Sequence, residues 1–203
     1  ALPILTGQGT YIDNLKLPGA LHLTYVRSQM AHARILSIDT SEAESMPGVR
    51  AVWTAADIDL APAGPANPMM NKAMTYPFLA TDTVRHVGEL VAIVVSEDKQ
   101  SGVDAAETVI VDYDPLPVVL DLDESFKGDV LLFPEAGSNV SLTFAAASND
   151  DVFADCEVVV DLVIENQRVA PAPMEVRSCA SVWDGNRLTQ WACSQGAHGA
   201  RDG

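Results

Sequence analysis

The sequence predicts an α/β (α+β) chain, with one domain of strands and short helices followed by a second that opens on β-strands. Three observations carry this reading. Apolar and polar residues alternate at 20–27, 33–40 and 157–169, a continuous apolar run fills 91–95, and helix-like stretches separate strands at 41–46 and 96–109. With 203 residues and 48% hydrophobic content, the chain has enough apolar side chain for a core of its own.

Taken in order, ALHLTYVR (20–27) and ARILSIDT (33–40) read as half-buried strands joined through RSQMAH. Thr40 or Ser41 can cap a short helix, because Ser41 and Glu44 have capping-box spacing, and Pro47 with Gly48 ends it before the strand VRAVWT. Residues 59–80 carry Pro62, Pro65, Pro68 and Pro77 and are expected to form a long loop. Val84–Val95 ends as a buried strand, 96–109 has helical Ala/Val spacing, and VIVDYDPLP is a strand stopped by prolines. A strand, helix and strand of this length predict a right-handed crossover in a mixed sheet, closing a domain over roughly residues 9–122. Residues 123–150 have no sustained period and read as a connecting segment. From Cys156 strand character resumes in EVVVDLVIENQRV, and SVWDGNRLTQWAC reads as a hairpin turning at Asp184, Gly185 and Asn186.

Charge restricts the partners. A formal net charge of -16 and a pI near 4.3 repel phosphate backbones and anionic membranes, so neither nucleic acid nor a membrane is an expected partner. No run approaches the roughly 18 apolar residues of a membrane span, and the start ALPILTGQG has no basic-then-apolar signal pattern. Cys156, Cys179 and Cys193 are widely spaced and offer no CxxC pair, so reduced thiols and a cytoplasmic location are the simplest reading. A first residue of Ala1 fits either a processed start or a piece of a longer chain.

Few side chains point to chemistry. GQG at 7–9 precedes no strand-to-helix turn, so a terminal turn outweighs a phosphate loop, and no Walker lysine motif, HExxH or GxSxG occurs. His22, His32, His86 and His198 are scattered; a structural hydrogen bond is the simpler role for each, and no metal-ligating set is expected. Cys193 with His198 would be a thiolate–imidazole pair only if a third group oriented them, and none is identifiable. Glu175 and Arg177 are either an ion pair or strand-end charges. Gln195 follows a strand and precedes Gly196, so its amide can present a donor and an acceptor to a ligand; residue chemistry alone equally allows a surface glutamine.

Three stretches, VRSQMAHARILSIDTSEAESMPGVRAVWTAADI (26–58), VRHVGELVAIVVSEDKQSGVDAAETVIVDYDPLPVVLD (84–121) and NQRVAPAPMEVRSCASVW with LTQWACSQGAH (166–198), resemble in order the large subunit of molybdenum hydroxylases. That family comprises xanthine dehydrogenases, aldehyde oxidases and carbon monoxide dehydrogenases. The resemblance implies an a/b hammerhead domain at 1–122, a connecting segment at 123–150, and the incomplete start of a molybdopterin-binding domain at 151–203. It also implies oxidation of an aldehyde, a purine-like heterocycle or carbon monoxide with water-derived oxygen. Molybdenum would be held by the dithiolene of molybdopterin and not by a side chain, with the cytosine dinucleotide form left open. The SQG motif carries onto Gln195 a hydrogen bond to an oxo ligand of the metal and onto Gly196 a close backbone approach to the cofactor.

Two departures stand out. Val176 and Ala197 occupy positions where the family usually has proline. The family's later pterin loops and its general-base glutamate have no counterpart before residue 203, so this chain alone is expected not to turn over. Iron–sulfur and FAD centres would belong to other domains or subunits, making the rest of the large subunit and those carriers the expected partners. Strands without their usual cover could also pair between copies as a homo-oligomer. The competing reading is a naturally short hammerhead protein acting as a binding or assembly module, its acidic surface steering a basic partner.

Overall fold

The structure is a computed structural model and describes residues 2–62, 67, 69–144, 152–167, 169–170, 172, 177–194, 196 and 198. Its elements in chain order begin with α1 (Leu2–Leu5), β1 (His22–Arg27), β2 (Ala33–Asp39), α2 (Ser41–Ser45) and β3 (Val49–Thr54). They continue with β4 (Thr83–Val84), β5 (Leu90–Ser96), α3 (Lys99–Thr108), β6 (Ile110–Pro115), α4 (Leu122–Lys127), β7 (Cys179–Trp183) and β8 (Leu188–Ala192). The chain divides into two compact units, Gly19–Ser148 and Ala1–Pro18 with Asn149–Gly203.

The Gly19–Ser148 unit holds two three-stranded sheets, in the orders β1-β5-β3 and β4-β2-β6, and every ladder in them is antiparallel. The apolar run in β5 is explained by cover on both faces. Ala92 and Val94 point into a core with Val26, Val52, Ala43 of α2 and Ala105 of α3, whereas Ile93 and Val95 pack with Leu79, Ala51 and Ile58. A third cluster joins Val91 to Ala33, Ala80 and Val84. The fold class is therefore the expected α+β, but the right-handed crossover is not made. Strand β5 already has a neighbour on each edge, so β6 cannot hydrogen-bond to it and pairs with β2 in the other sheet.

Local chemistry sets the helix ends. The capping box expected at Ser41 and Glu44 does not form: the N-cap is Thr40, whose Oγ1 donates to the Glu44 carboxylate at 2.6 Å and makes no cap bond to the backbone, while Asp39 Oδ1 accepts from the Ser41 amide at 3.0 Å. At α3, Asp98 accepts from the amide of Ser101 at 3.0 Å and from its hydroxyl at 2.8 Å. Helix α3 then presses on the sheet at Gly102, where an added Cβ would lie 2.5 Å from both Ser96 Oγ and Thr24 Oγ1.

The segment at 123–150 contains more structure than its composition suggests. Helix α4 is capped by Asp121, which accepts from the Glu124 amide at 3.0 Å, and stopped by Gly128 in the left-handed region. A 3-10 turn follows at Pro134–Ala136. Before this segment the chain leaves β6 beside His32, whose buried ring donates from Nδ1 to the Pro117 carbonyl at 2.7 Å.

In the other unit the expected hairpin is present. Strands β7 and β8 pair from Cys179 with Ala192 to Trp183 with Leu188, and Asp184 Oδ1 accepts from the amides of Asn186 and Arg187 at 2.9 and 2.7 Å to close the turn. The strand expected from EVVVDLVIENQRV does not form among the described residues: Val158–Ile164 has no ladder partner, and Val160 and Val163 are 81% and 88% exposed. Alternation supplies a face to bury but no hydrogen-bonding neighbour, and without one a strand gains too little to offset its ordering entropy.

Candidate functional site

The hairpin leads into Cys193, Ser194 and Gly196, three of the described residues in the stretch singled out at 193–198. Beyond β8 the pairing extends one step, with the Cys193 amide donating to the Ser178 carbonyl at 3.4 Å. The chain then turns on Ser194, whose Oγ accepts the Gly196 amide at 3.0 Å and donates to the Gly196 carbonyl at 2.9 Å. Gly196 is exposed, and a Cβ built on it would meet nothing within 4 Å. Among the described residues nothing in the packing therefore demands glycine at 196. Gln195 and Glu175 lie outside the described residues, and Arg177 and His198 are exposed.

The remaining candidates separate. His32 is interior and committed to Pro117, while His22 and His86 are exposed, and His86 Nδ1 lies 3.1 Å from the Val87 carbonyl. Cys156, Cys179 and Cys193 are exposed thiols. Among the described residues no three His, Cys, Asp or Glu side chains converge as a metal site. Gly7 follows the four-residue α1, with the Gln8 amide donating to the Pro3 carbonyl at 2.7 Å, so GQG is part of a terminal turn.

Electrostatically the carboxylates that stand out are structural. Asp184 is held below the ordinary aspartate range by the amides of Asn186 and then Arg187. Asp98, Asp39 and Asp57 are lowered in the same way by hydrogen bonds from Ser101, Ser41 and Thr54. None of the four faces a catalytic partner. An open cavity of about 610 Å³ lies beside β1, α3 and β6, bordered by Tyr25, Arg27, Glu107, Val111 and Tyr113, and contains no residue that the sequence had marked for chemistry.

Residues 6–117 match the family model for the aldehyde oxidase and xanthine dehydrogenase, a/b hammerhead domain. The chain belongs to this family. Residues 132–203 match the molybdopterin cofactor-binding domain, so the two matches follow one another along the chain. The nicotine 6-hydroxylase large subunit of Paenarthrobacter nicotinovorans is 41% identical over 96% of this chain and 25% of its own length. The carbon monoxide dehydrogenase large chain of Afipia carboxidovorans is 36% identical over 95% of this chain and 26% of its own. Among solved structures, quinoline 2-oxidoreductase from Pseudomonas putida 86 superposes with a TM-score of 0.81 at 32% identity, covering 96% of this chain and 26% of that one. The chain thus spans about a quarter of the length of the curated relatives it matches.

The residues present fit a molybdopterin site as one edge of it. An exposed turn whose glycine has an open Cα face is suited to close approach by an outside group, and Ser194 fixes that turn from within. Sequence reasoning missed a different feature, the grip of Arg85 on residues 132–133. A single arginine contacting a loop 47 residues away leaves no local pattern to find.

Proposed function

We propose that this chain works as the hammerhead and opening cofactor-binding portion of a molybdopterin-dependent hydroxylase or dehydrogenase large subunit. The observation that carries the reading is the succession of the two domain matches at 6–117 and 132–203. The proposed division is a hammerhead domain at 1–122, a connecting segment at 123–150 and an incomplete cofactor-binding domain at 151–203. A free-standing assembly module is disfavoured because it gives residues 132–203 no reason to match a cofactor-binding domain.

Molybdenum-molybdopterin, when bound, supplies oxidation of an aldehyde, a heterocycle or carbon monoxide with oxygen from water. The chain's own contribution is positional. The side-chain amide of Gln195 donates a hydrogen bond to an oxygen of the cofactor, Gly196 admits it against the backbone, and Ser194 holds the turn. Iron–sulfur and FAD centres on companion domains or subunits take the electrons, and the assembly works in the cytoplasm. No helix among the described residues is long and apolar enough to cross a membrane.

The test is Gln195→Ala in the complete large subunit produced with its companions. Turnover is expected to fall by about 10²–10³-fold with molybdenum content unchanged, the size of effect seen when one oriented donor is removed. The 203-residue chain by itself is expected to hold substoichiometric molybdenum and to show no dye-linked oxidation. Full activity in the Gln195 variant, or stoichiometric metal in the short chain, overturns the assignment.

A further inference from the structure

The match to the cofactor-binding domain begins at residue 132, yet the compact unit containing the hammerhead strands runs on to Ser148. Residues 132–144, the described part of this overlap, therefore belong to one domain by sequence and to the other by packing. They are fastened at several points. Half-buried Arg85, just beyond β4, donates from Nε to the Leu132 carbonyl at 3.0 Å and from Nη1 to the Thr83 carbonyl at 3.1 Å, with its guanidinium 4.8 Å from the centre of the Phe133 ring. Its own amide is held by the carboxylate of buried Glu89. Asn139 ties the strap internally: Oδ1 accepts from the Leu132 amide at 3.0 Å, and Nδ2 donates to the carbonyls of Ser125 and Val130 at 3.1 and 2.7 Å. Further on, the Asn71 amide donates to the Ser141 carbonyl at 2.8 Å.

We infer that residues 129–141 are a strap latched by Arg85, through which the hammerhead unit sets where the cofactor-binding region begins, and that Arg85 is a positioning residue for that region. The inference rests on the proposed function for the role of the region and on the contacts above for the latch. Arginine suits the task because one planar group engages a carbonyl on each side and stacks on Phe133, whereas lysine offers a point charge. An ordinary surface loop would not need a half-buried guanidinium and a fully used asparagine amide to hold it.

Hydrogen exchange on the 203-residue chain tests the latch. Arg85→Ala is expected to speed exchange at the amides of Leu132, Ala136 and Gly137 by roughly tenfold or more, with the β1–β5 ladder within about twofold of wild type. Phe133→Ala, made from the strap side, should give the same local pattern, and Arg85→Lys should recover less than about half of the lost protection. If Arg85→Ala loosens the ladder as well, Phe133→Ala decides the matter alone. Strap exchange within about twofold of wild type in Phe133→Ala overturns the latch. In the complete large subunit the same two variants are expected to lower molybdenum and pterin content severalfold. A loosened strap with undiminished cofactor overturns the positioning role. A wild-type subunit devoid of molybdopterin overturns the proposed function and leaves the exchange result standing.

Discussion

Gly102 and Gly196 differ in what this chain's own packing asks of them. Gly102 sits in α3 over β1 and β5, where the hydroxyls of Thr24 and Ser96 leave no room for a methyl, and Ser96 is buried with its hydroxyl donating to the Asp98 carbonyl at 2.7 Å. Alanine would gain about 1 kcal/mol of helix propensity at this position. A 2.5 Å approach to two strand hydroxyls costs more, because β-branched Thr24 and committed Ser96 cannot both swing away. Gly102→Ala is therefore expected to destabilise the chain by about 1–3 kcal/mol in urea unfolding. Gly196→Ala, with open space around it, should leave the unfolding curve where it was. An unchanged midpoint for Gly102→Ala would mean that α3 can lift from the sheet at no cost.

At the scale of elements, α3 depends on an ionised cap. Asp98 accepts two hydrogen bonds from Ser101, the amide bond first in weight, and these hold its carboxyl below the ordinary value of 3.8. Because the folded value is the lower one, the unfolded chain binds the proton first as the pH drops. The cap's stabilisation is thus fully present above 3.8 and fades as the pH falls through the lowered folded value. The expected outcome is that Asp98→Ala melts below wild type at neutral pH and that the gap closes at acid pH; a gap that persists at pH 2 would mean that Asp98 acts through shape and not charge. The stop at Pro47 and Gly48 was legible in the sequence because it is local, as were the strands whose alternation faces a core. The partition of strands between two sheets was not, since it turns on β5 having both edges filled by β1 and β3. Helix α4 was missed because six residues are too few to display a period, although Asp121 and Gly128 mark its ends. Val158–Ile164 was misread because alternation cannot reveal whether a ladder partner exists. For the candidate site the sequence offered Gln195 and Gly196 through family resemblance alone, and Gln195 lies outside the described residues.

At the scale of the whole molecule, charge and apolar exposure act against each other. Val158, Val160, Leu162, Val163 and Ile164 are each between 74% and 88% exposed, an apolar strip of the kind that pairs with other chains. Glu157, Asp161 and Glu165 interrupt and flank it, and the formal charge of -16 makes two copies repel. That repulsion is the weaker barrier wherever it is screened: the Debye length falls from about 10 Å at 0.1 M salt to about 3 Å at 1 M, while apolar contact is not screened. Near the pI of 4.3 the repulsion vanishes altogether. Light scattering should therefore find a monomer at neutral pH and low salt, with association growing both toward 1 M salt and toward the pI. Val160→Glu with Val163→Glu puts charge into the strip itself and should suppress association in high salt, without moving the β1–β5 ladder amides in hydrogen exchange. Association that ignores this pair of substitutions would shift the sticky surface elsewhere, with the exposed Trp183 and Leu188 of the hairpin next in line.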